Sequence, residues 1–371
     1  MVLSNRDYEE TMTKKICFLN GVIAHSGGTE RVGIMIANAL AQRGYDVTIL
    51  SFWDYGQPFF PVDERVKVDY LLKPSSEGKL YRTFVYPVWK LRRYIKSHSF
   101  DVLIDIDSAL AYWTTWALRG LSCHHIVWDH FNYVHAQSER KRIRAIQLTK
   151  RYADKLVLLT QQDRRMYLDA EFPEEKLQVI NNPSPFEDAT PSPRTEHTVL
   201  AVGRLTEQKG FDRLIAVWSR IEDRAGDWQL VIVGSGELES GLKQQVSDFG
   251  LGNVRFVPAT SDIEQWYDKA SIYAMTSRFE GFPMVLLEAM AKGLPIVAYD
   301  CLTGPSELVD DDVNGHLVQD GDEERFAENL LSLMWNRQLQ DRYSYSALRL
   351  IEDFSVDAIA SQWEELINGL G

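Results

Sequence analysis

Cysteine is scarce in this 371-residue chain, with only Cys17, Cys123 and Cys301, odd in number and widely spaced. That excludes a disulfide framework and a cysteine zinc site, and it suits a reducing, cytoplasmic setting. No uncharged apolar run is long enough to span a bilayer. The N-terminus is polar, carries Asp7, Glu9 and Glu10, and lacks the basic-then-apolar order of a secretory signal. No Gly-x-Gly-x-x-Gly follows a strand and no glycine-rich loop ends in Gly-Lys-Ser/Thr, which argues against a dinucleotide oxidoreductase and a P-loop enzyme. Positive charge is also short: 40 Lys+Arg face 53 Asp+Glu, a net charge of −13. A nucleic-acid binder usually carries a strong basic stripe, so that role is not expected. The deficit is uneven. Up to Pro185 the balance is roughly +4, and beyond it roughly −17.

What is present is a repeated alternation. Short β-branched apolar runs at 16–19, 47–50, 66–70, 102–104, 125–128, 156–159 and 178–180 read as buried parallel strands. Helical patterns such as 31–43 and 139–152 lie between them. Prolines 183, 185, 191 and 193 then break the periodicity and mark a linker. A second series follows at 199–202, 230–233, 254–257, 272–275, 296–298 and 316–318, with helices at 237–249 and 283–291. The fold expected is α/β, two Rossmann-like doubly wound parallel sheets. The expected domains are 14–184 and 185–355, with a C-terminal amphipathic helix at about 356–371 packing back on the first. Ligands of such sheets bind beyond the carboxyl ends of the strands, and two facing domains make one cleft.

Two stretches carry chemistry at those ends. Gly203-Arg204-Leu205, followed by Lys209-Gly210, puts two cations after a strand. Arg204 can fork onto two phosphate oxygens, and Lys209 adds a point charge. A diphosphate leaving group gains charge as its glycosidic bond breaks, so fixed cations favour the transition state. The second stretch runs from Glu280 through Gly281, Phe282, Pro283, Met284 and Val285 to Glu288. Pro283 suits a helix start, whose free N–H groups can meet phosphate or sugar oxygens. The two carboxylates suit hydroxyls instead. Glu288 sits in an apolar stretch, where an unpaired carboxylate is costly. Cations at one end and hydroxyl acceptors at the other describe a site for a nucleotide-diphosphate sugar.

Weaker signals surround these. Gly27 and Gly28 precede a helix and can let backbone approach a phosphate, or can form a tight turn. Asp129 and His130 end a strand, where His130 can contact donor or acceptor oxygens and Asp129 can orient it. His124, His125 and His135 have no comparable case. Asp105-Ile106-Asp107 can hold a divalent metal in another architecture but sits where a sheet-end turn belongs. Asp310-Asp311-Asp312 reads as an exposed turn before Asn314-Gly315. Two basic segments remain, 79–96 and 140–155, and the first interleaves its cations with aromatics such as Tyr81 and Trp89. They fit either ordinary surface helices or an anionic membrane interface.

With these residues in view, the chain resembles the retaining glycosyltransferases of family 4, of the two-Rossmann-domain GT-B type, from Lys15 to about Leu370. Gly27-Gly28-Thr29-Glu30-Arg31 looks like the family's N-terminal Gly-Gly-x-Glu-Arg. Arg204 with Lys209, and Glu280 with Glu288, match its phosphate-binding and E-x7-E motifs, and Gly304-Pro305-Ser306-Glu307 looks like another familiar stretch. The resemblance implies sugar transfer with retention and no essential metal or other cofactor. It implies that Arg204 and Lys209 hold the diphosphate, Glu280 the transferred sugar and Glu288 the ribose. Backbone from Gly281 to Val285 would line the sugar–phosphate region, Val257-Pro258 would touch the base, and Asp129-His130 would stand on the acceptor side. The compact length is similar to bacterial enzymes building lipopolysaccharide, capsule or lipid-linked glycans. That implies a UDP-hexose or UDP-N-acetylhexosamine donor, and a glycan or polyprenyl-diphosphate-linked acceptor at the inner membrane face. A nucleotide-sugar epimerase, a phosphorylase and a non-catalytic nucleotide-sugar binding subunit are the alternatives. The first needs no acceptor and the second needs inorganic phosphate.

Overall fold

In the computed structural model the described residues are 13–73, 84–137, 139–187 and 189–370. Lys79, Tyr81 and Arg82 of the first basic segment lie outside them. The first sheet contains β1 (Lys15–Asn20), β2 (Asp46–Trp53), β3 (Lys67–Leu72), β4 (Val102–Asp105), β5 (His124–Trp128), β6 (Lys155–Leu158) and β7 (Leu177–Val179). Its order is β3-β2-β1-β4-β5-β6-β7. The second contains β8 (Thr198–Val202), β9 (Gln229–Val233), β10 (Val254–Val257), β11 (Ile272–Met275), β12 (Ile296–Asp300) and β13 (Gly315–Gln319), ordered β10-β9-β8-β11-β12-β13. The pairings recorded along both sheets are parallel. These are two doubly wound α/β sheets, as the alternation of short apolar runs and helical patterns leads one to expect.

Burial follows position in the sheet. The central strands β4 and β11 are buried at every residue. The edge strands β3 and β10 are half exposed. Helices cover the faces, and several show one apolar stripe to their sheet. Helix Phe211–Ser219, for instance, buries Leu214, Ile215, Val217 and Trp218 in a core with Trp228, Tyr299 and Phe326.

Packing divides the chain into two compact units. One comprises the residues up to Trp128 with Arg140–Leu156 and Glu364–Gly371; the other comprises Asp129–Glu139 and Val157–Trp363. The C-terminal helix is Val356–Asn368. Within the first unit its last turns are tied by Arg43 to Glu364 at 3.0 Å and by Lys14, whose Nζ donates to the Ile367 carbonyl at 2.8 Å. The proline-rich segment has no regular structure, yet it is not a loose linker. Ser184 and Ser192 are buried, and the Ser192 hydroxyl bonds to the Asp268 and Ala270 carbonyls. Proline stops helix and ladder but does not prevent side chains from binding neighbouring carbonyls.

Candidate functional site

The strand order of the second sheet reverses between β8 and β11. That switch point is where a doubly wound sheet opens a crevice beyond its carboxyl ends. Gly203 follows β8 there, and the segment leading to Glu280 follows β11.

Glu280 is 5% exposed. Its Oε1 pairs with Lys209 Nζ at 2.7 Å and accepts from the Ser277 hydroxyl at 2.6 Å. A carboxylate so far removed from water needs this compensation, and truncating one partner of such a pair strands the other's charge. The loop bearing Lys209 is itself fixed to the loop bearing Glu280. Arg278 makes two bonds to the Asp212 carboxylate, at 2.9 and 2.6 Å, and one to the Glu207 carbonyl. The guanidinium holds the Asp212 carboxyl below its ordinary range. Gly210 has φ +62°, and a Cβ there would collide with the Thr276 carbonyl, so only glycine allows this approach.

Arg204 is exposed, and among the described residues its guanidinium has no ion-pair partner. It remains available to a diphosphate. Val257 and Pro258 lie at the end of β10, beside Gly234-Ser235-Gly236 at the end of β9: the Gly234 N–H donates to the Val257 carbonyl at 2.9 Å. A Cβ at Gly234 would overlap the Gly203 carbonyl. This glycine pair, visible in the sequence just after a strand, seats the Gly203 turn and was not singled out by the motif reasoning.

Pro283 occupies the cap position of helix Met284–Ala291. Phe282 is buried. Glu288 is buried on that helix, and its Oε2 accepts from the Tyr267 hydroxyl at 2.7 Å. The phenol partner offsets part of the cost of burying a carboxylate between apolar flanks.

Asp129–Glu139 belongs to the same unit as Glu280. Asp129 accepts from the Tyr167 hydroxyl at 2.7 Å and from the Phe131 N–H at 3.3 Å, so it shapes the turn around His130. Asp163 accepts from the Tyr133 N–H at 2.7 Å. Burial, and then the charge of Asp129, push the Asp163 carboxyl up to about 7. Asn132 Nδ2 donates to the Glu280 carbonyl at 2.8 Å, and the Thr303 hydroxyl donates to the same oxygen. Asn132, Ser277, Thr303, Asp163 and Tyr167 carry no sequence signature of their own. Only the fold brings them to the motif residues.

Gly27 and Gly28 stand in the first unit, where Gly28 opens helix Gly28–Gln42. The end of the Glu30 side chain folds over Gly27, so a Cβ there would make that side chain shift. Burial raises the Glu30 carboxyl above its ordinary range. Asp105 is fully buried and accepts from His125 Nε2 at 2.8 Å and Thr114 Oγ1 at 2.6 Å. Asp107 pairs with Arg142 at 2.6 Å and caps Ala109. His125, for which the sequence makes no case, is thus a buried partner of Asp105. Asp310, Asp311 and Asp312 form an exposed turn braced by Asn314. Asp311, Asp312 and His316 converge there, with Asp312 also bonded to Tyr343. A cavity of about 510 Å³ in the first unit is lined by Trp116, Arg119, His124, Tyr152 and Asp154 among others, and contains none of the candidate residues.

Residues 26–185 match the family model described as Glycosyltransferase Family 4, and residues 185–349 that described as Glycosyl transferases group 1. Across 95% of its length the chain is 35% identical to an uncharacterized glycosyltransferase of Haemophilus influenzae, covering 100% of that protein. The chain belongs to glycosyltransferase family 4. This family 4 chain is also 31% identical to the amylovoran biosynthesis glycosyltransferase AmsD of Erwinia amylovora, over 96% of the chain and 100% of that protein. Its fold is that of the solved HepE of Anabaena in complex with UDP and glucose, with a TM-score of 0.80 at 23% identity over 96% of this chain and 99% of the other. The two sheets of this family 4 glycosyltransferase are therefore the two domains of a GT-B fold.

Proposed function

We propose that this glycosyltransferase moves a hexose or N-acetylhexosamine from a UDP-sugar to a hydroxyl of a glycan or lipid-linked acceptor, with retention and without an essential metal. The observation that carries the reading is the buried Glu280 carboxylate held by Lys209 and Ser277 at the switch point. Exposed Arg204 forks onto the diphosphate and Lys209 adds charge as the leaving group forms. Glu280 and Glu288 accept hydrogen bonds from sugar and ribose hydroxyls, and backbone from Gly281 to Val285 lines the region between. The bond from anomeric carbon to phosphate oxygen breaks. The bond to the acceptor oxygen forms on the same face, and the acceptor proton passes to the departing phosphate oxygen. No side chain then has to be a strong base. His130 stands on the acceptor side. The engagement of Asp105 and Asp107 by His125, Thr114 and Arg142 supports metal independence. HepE's complex with UDP and glucose supports the donor, and AmsD's role in amylovoran biosynthesis supports a cell-surface glycan product.

The test is turnover. Glu280→Gln and Lys209→Ala should each lower kcat by about 100-fold or more while circular dichroism shows a folded protein. Near-normal turnover in either variant would contradict the assigned roles.

The same reading includes contact with an anionic membrane at the cytoplasmic face. No helix among the described residues is long and apolar enough to cross a membrane. Within the first unit, helices Val85–His98, Ala111–Leu118 and Arg140–Tyr152 pack side by side and contain no Asp or Glu. Trp89, Trp116 and Tyr152 are exposed on them, with Arg93, Arg119 and Arg151 stacked on the rings. Amphipathic aromatics among cations suit an anionic bilayer surface.

A further inference from the structure

The segment after β5 is fastened to the Glu280 loop from several sides. Asn132 Nδ2 donates to the Glu280 carbonyl at 2.8 Å, alongside the Thr303 hydroxyl. The His135 ring stacks on Phe279 and on Phe131, each with centroids 5.5 Å apart. A Cβ at Gly281 would collide with the His130 carbonyl, so the two backbones are in close approach. The contacts also close into a ring. Thr303, in the left-handed region at φ +59°, leads to Gly304 and then Glu307. The Glu307 carboxylate accepts from the Gln161 and Gln162 N–H groups at the start of helix Gln161–Asp169. Asp163 on that helix accepts from the Tyr133 N–H, and Tyr133 adjoins Asn132. All of these residues lie in one compact unit.

We propose that Asn132 is a positioning residue which, through the Glu280 carbonyl, fixes the distance between the His130 segment and the Glu280 carboxylate. The proposal rests on the glycosyl-transfer reading, in which His130 faces the acceptor and Glu280 the transferred sugar. Asn132 is buried and uses both ends of its amide: Oδ1 accepts from the His135 N–H at 2.7 Å and caps helix Tyr133–Ala136, while Nδ2 reaches Glu280. The two jobs are separable by chemistry. Serine and aspartate cap a helix as well as asparagine does, but neither can donate from the Nδ2 position. Close approach of Gly281 to the His130 carbonyl, and Thr303 in the left-handed region bonded to the same Glu280 carbonyl, restrict the loop further. Loss of the bond therefore changes acceptor-to-donor geometry rather than donor affinity.

Asn132→Ser and Asn132→Asp test it in the full-length protein with a UDP-sugar that the wild type turns over. Both variants should lose about 10- to 100-fold in kcat, while the donor KM stays within about three-fold. Amide hydrogen exchange at residues 129–136 and 279–282 should speed up in both, with the strands of the second sheet unchanged. Wild-type kcat in both variants would overturn the positioning role, and so would a general loss of fold in both. Unchanged exchange would overturn the clamp itself. If the wild type transfers sugar from no nucleotide sugar, the functional reading fails, and the exchange measurement still decides whether Asn132 fastens the two segments.

Discussion

Lys209 and Glu280 differ in what each leaves behind when removed. Lys209→Ala strands a carboxylate that is 5% exposed, whereas Glu280→Gln leaves a neutral amide to bond Ser277 and a lysine that is 17% exposed. Denaturant unfolding should therefore find Lys209→Ala the less stable of the two, by about 1–3 kcal/mol. The double variant should be more stable than the sum of the single losses, and strict additivity would show that the ion pair is not coupled. Asp163 gives a pH dependence of fixed sign. Its folded value of about 7 stands above the unfolded value, so the native state holds a proton that the unfolded chain has lost. Stability should fall as pH rises from about 4 to about 7 and then level off, because ionisation places a second buried charge beside Asp129, Tyr133 and Tyr167. Asp163→Asn keeps the acceptor for the Tyr133 N–H and removes the charge. It should melt above wild type at pH 8 and lose that advantage near pH 4. A constant difference between those pH values would show that Asp163 is not the titrating group.

At the scale of elements, glycines set the close approaches around the switch point. Gly234→Ala and Gly210→Ala should each cost about 2 kcal/mol or more in urea unfolding, since backbone rather than a flexible side chain blocks the added carbon. Gly241→Ala, on a helix where nothing lies near the added carbon, is the control and should be neutral or slightly stabilising. The strands were legible because buried parallel strands must be unbroken apolar runs, such as Ile272–Met275, and the prolines after Asn182 mark a change of series. The ends of those strands point to where the proposed site belongs, and residue type is the ground for proposing phosphate at the Arg204 end and hydroxyls at the Glu280 end. Asn132 and Thr303 were invisible for the opposite reason. Their work is done through one carbonyl of Glu280, across separations of 148 and 23 residues, and a backbone oxygen leaves no mark on residue type. Glu307 sits in a stretch that the family resemblance flags. Its contact with the Gln161 and Gln162 N–H groups required the fold.

For the whole molecule, charge is distributed unevenly in a way that a net −13 conceals. The acid-free helix layer of the first unit predicts that the protein sediments with vesicles containing anionic lipid and not with neutral ones. About 0.5 M salt should weaken that binding strongly, since surface charges are screened within a few ångströms there. Trp89→Ala combined with Arg93→Ala should reduce it further without changing donor binding. Equal binding to neutral vesicles would remove the electrostatic part of the account.

The central claim is metal-free sugar transfer from a nucleotide sugar at the Glu280–Lys209 site. The measurement that tests it most directly is binding and hydrolysis of a panel of nucleotide sugars in EDTA, by wild type and by Glu280→Gln. We predict that one UDP-sugar binds selectively and is slowly hydrolysed by the wild type in EDTA, and that Glu280→Gln abolishes the hydrolysis. Hydrolysis only after a divalent metal is added, or equal hydrolysis by both proteins, would contradict the account.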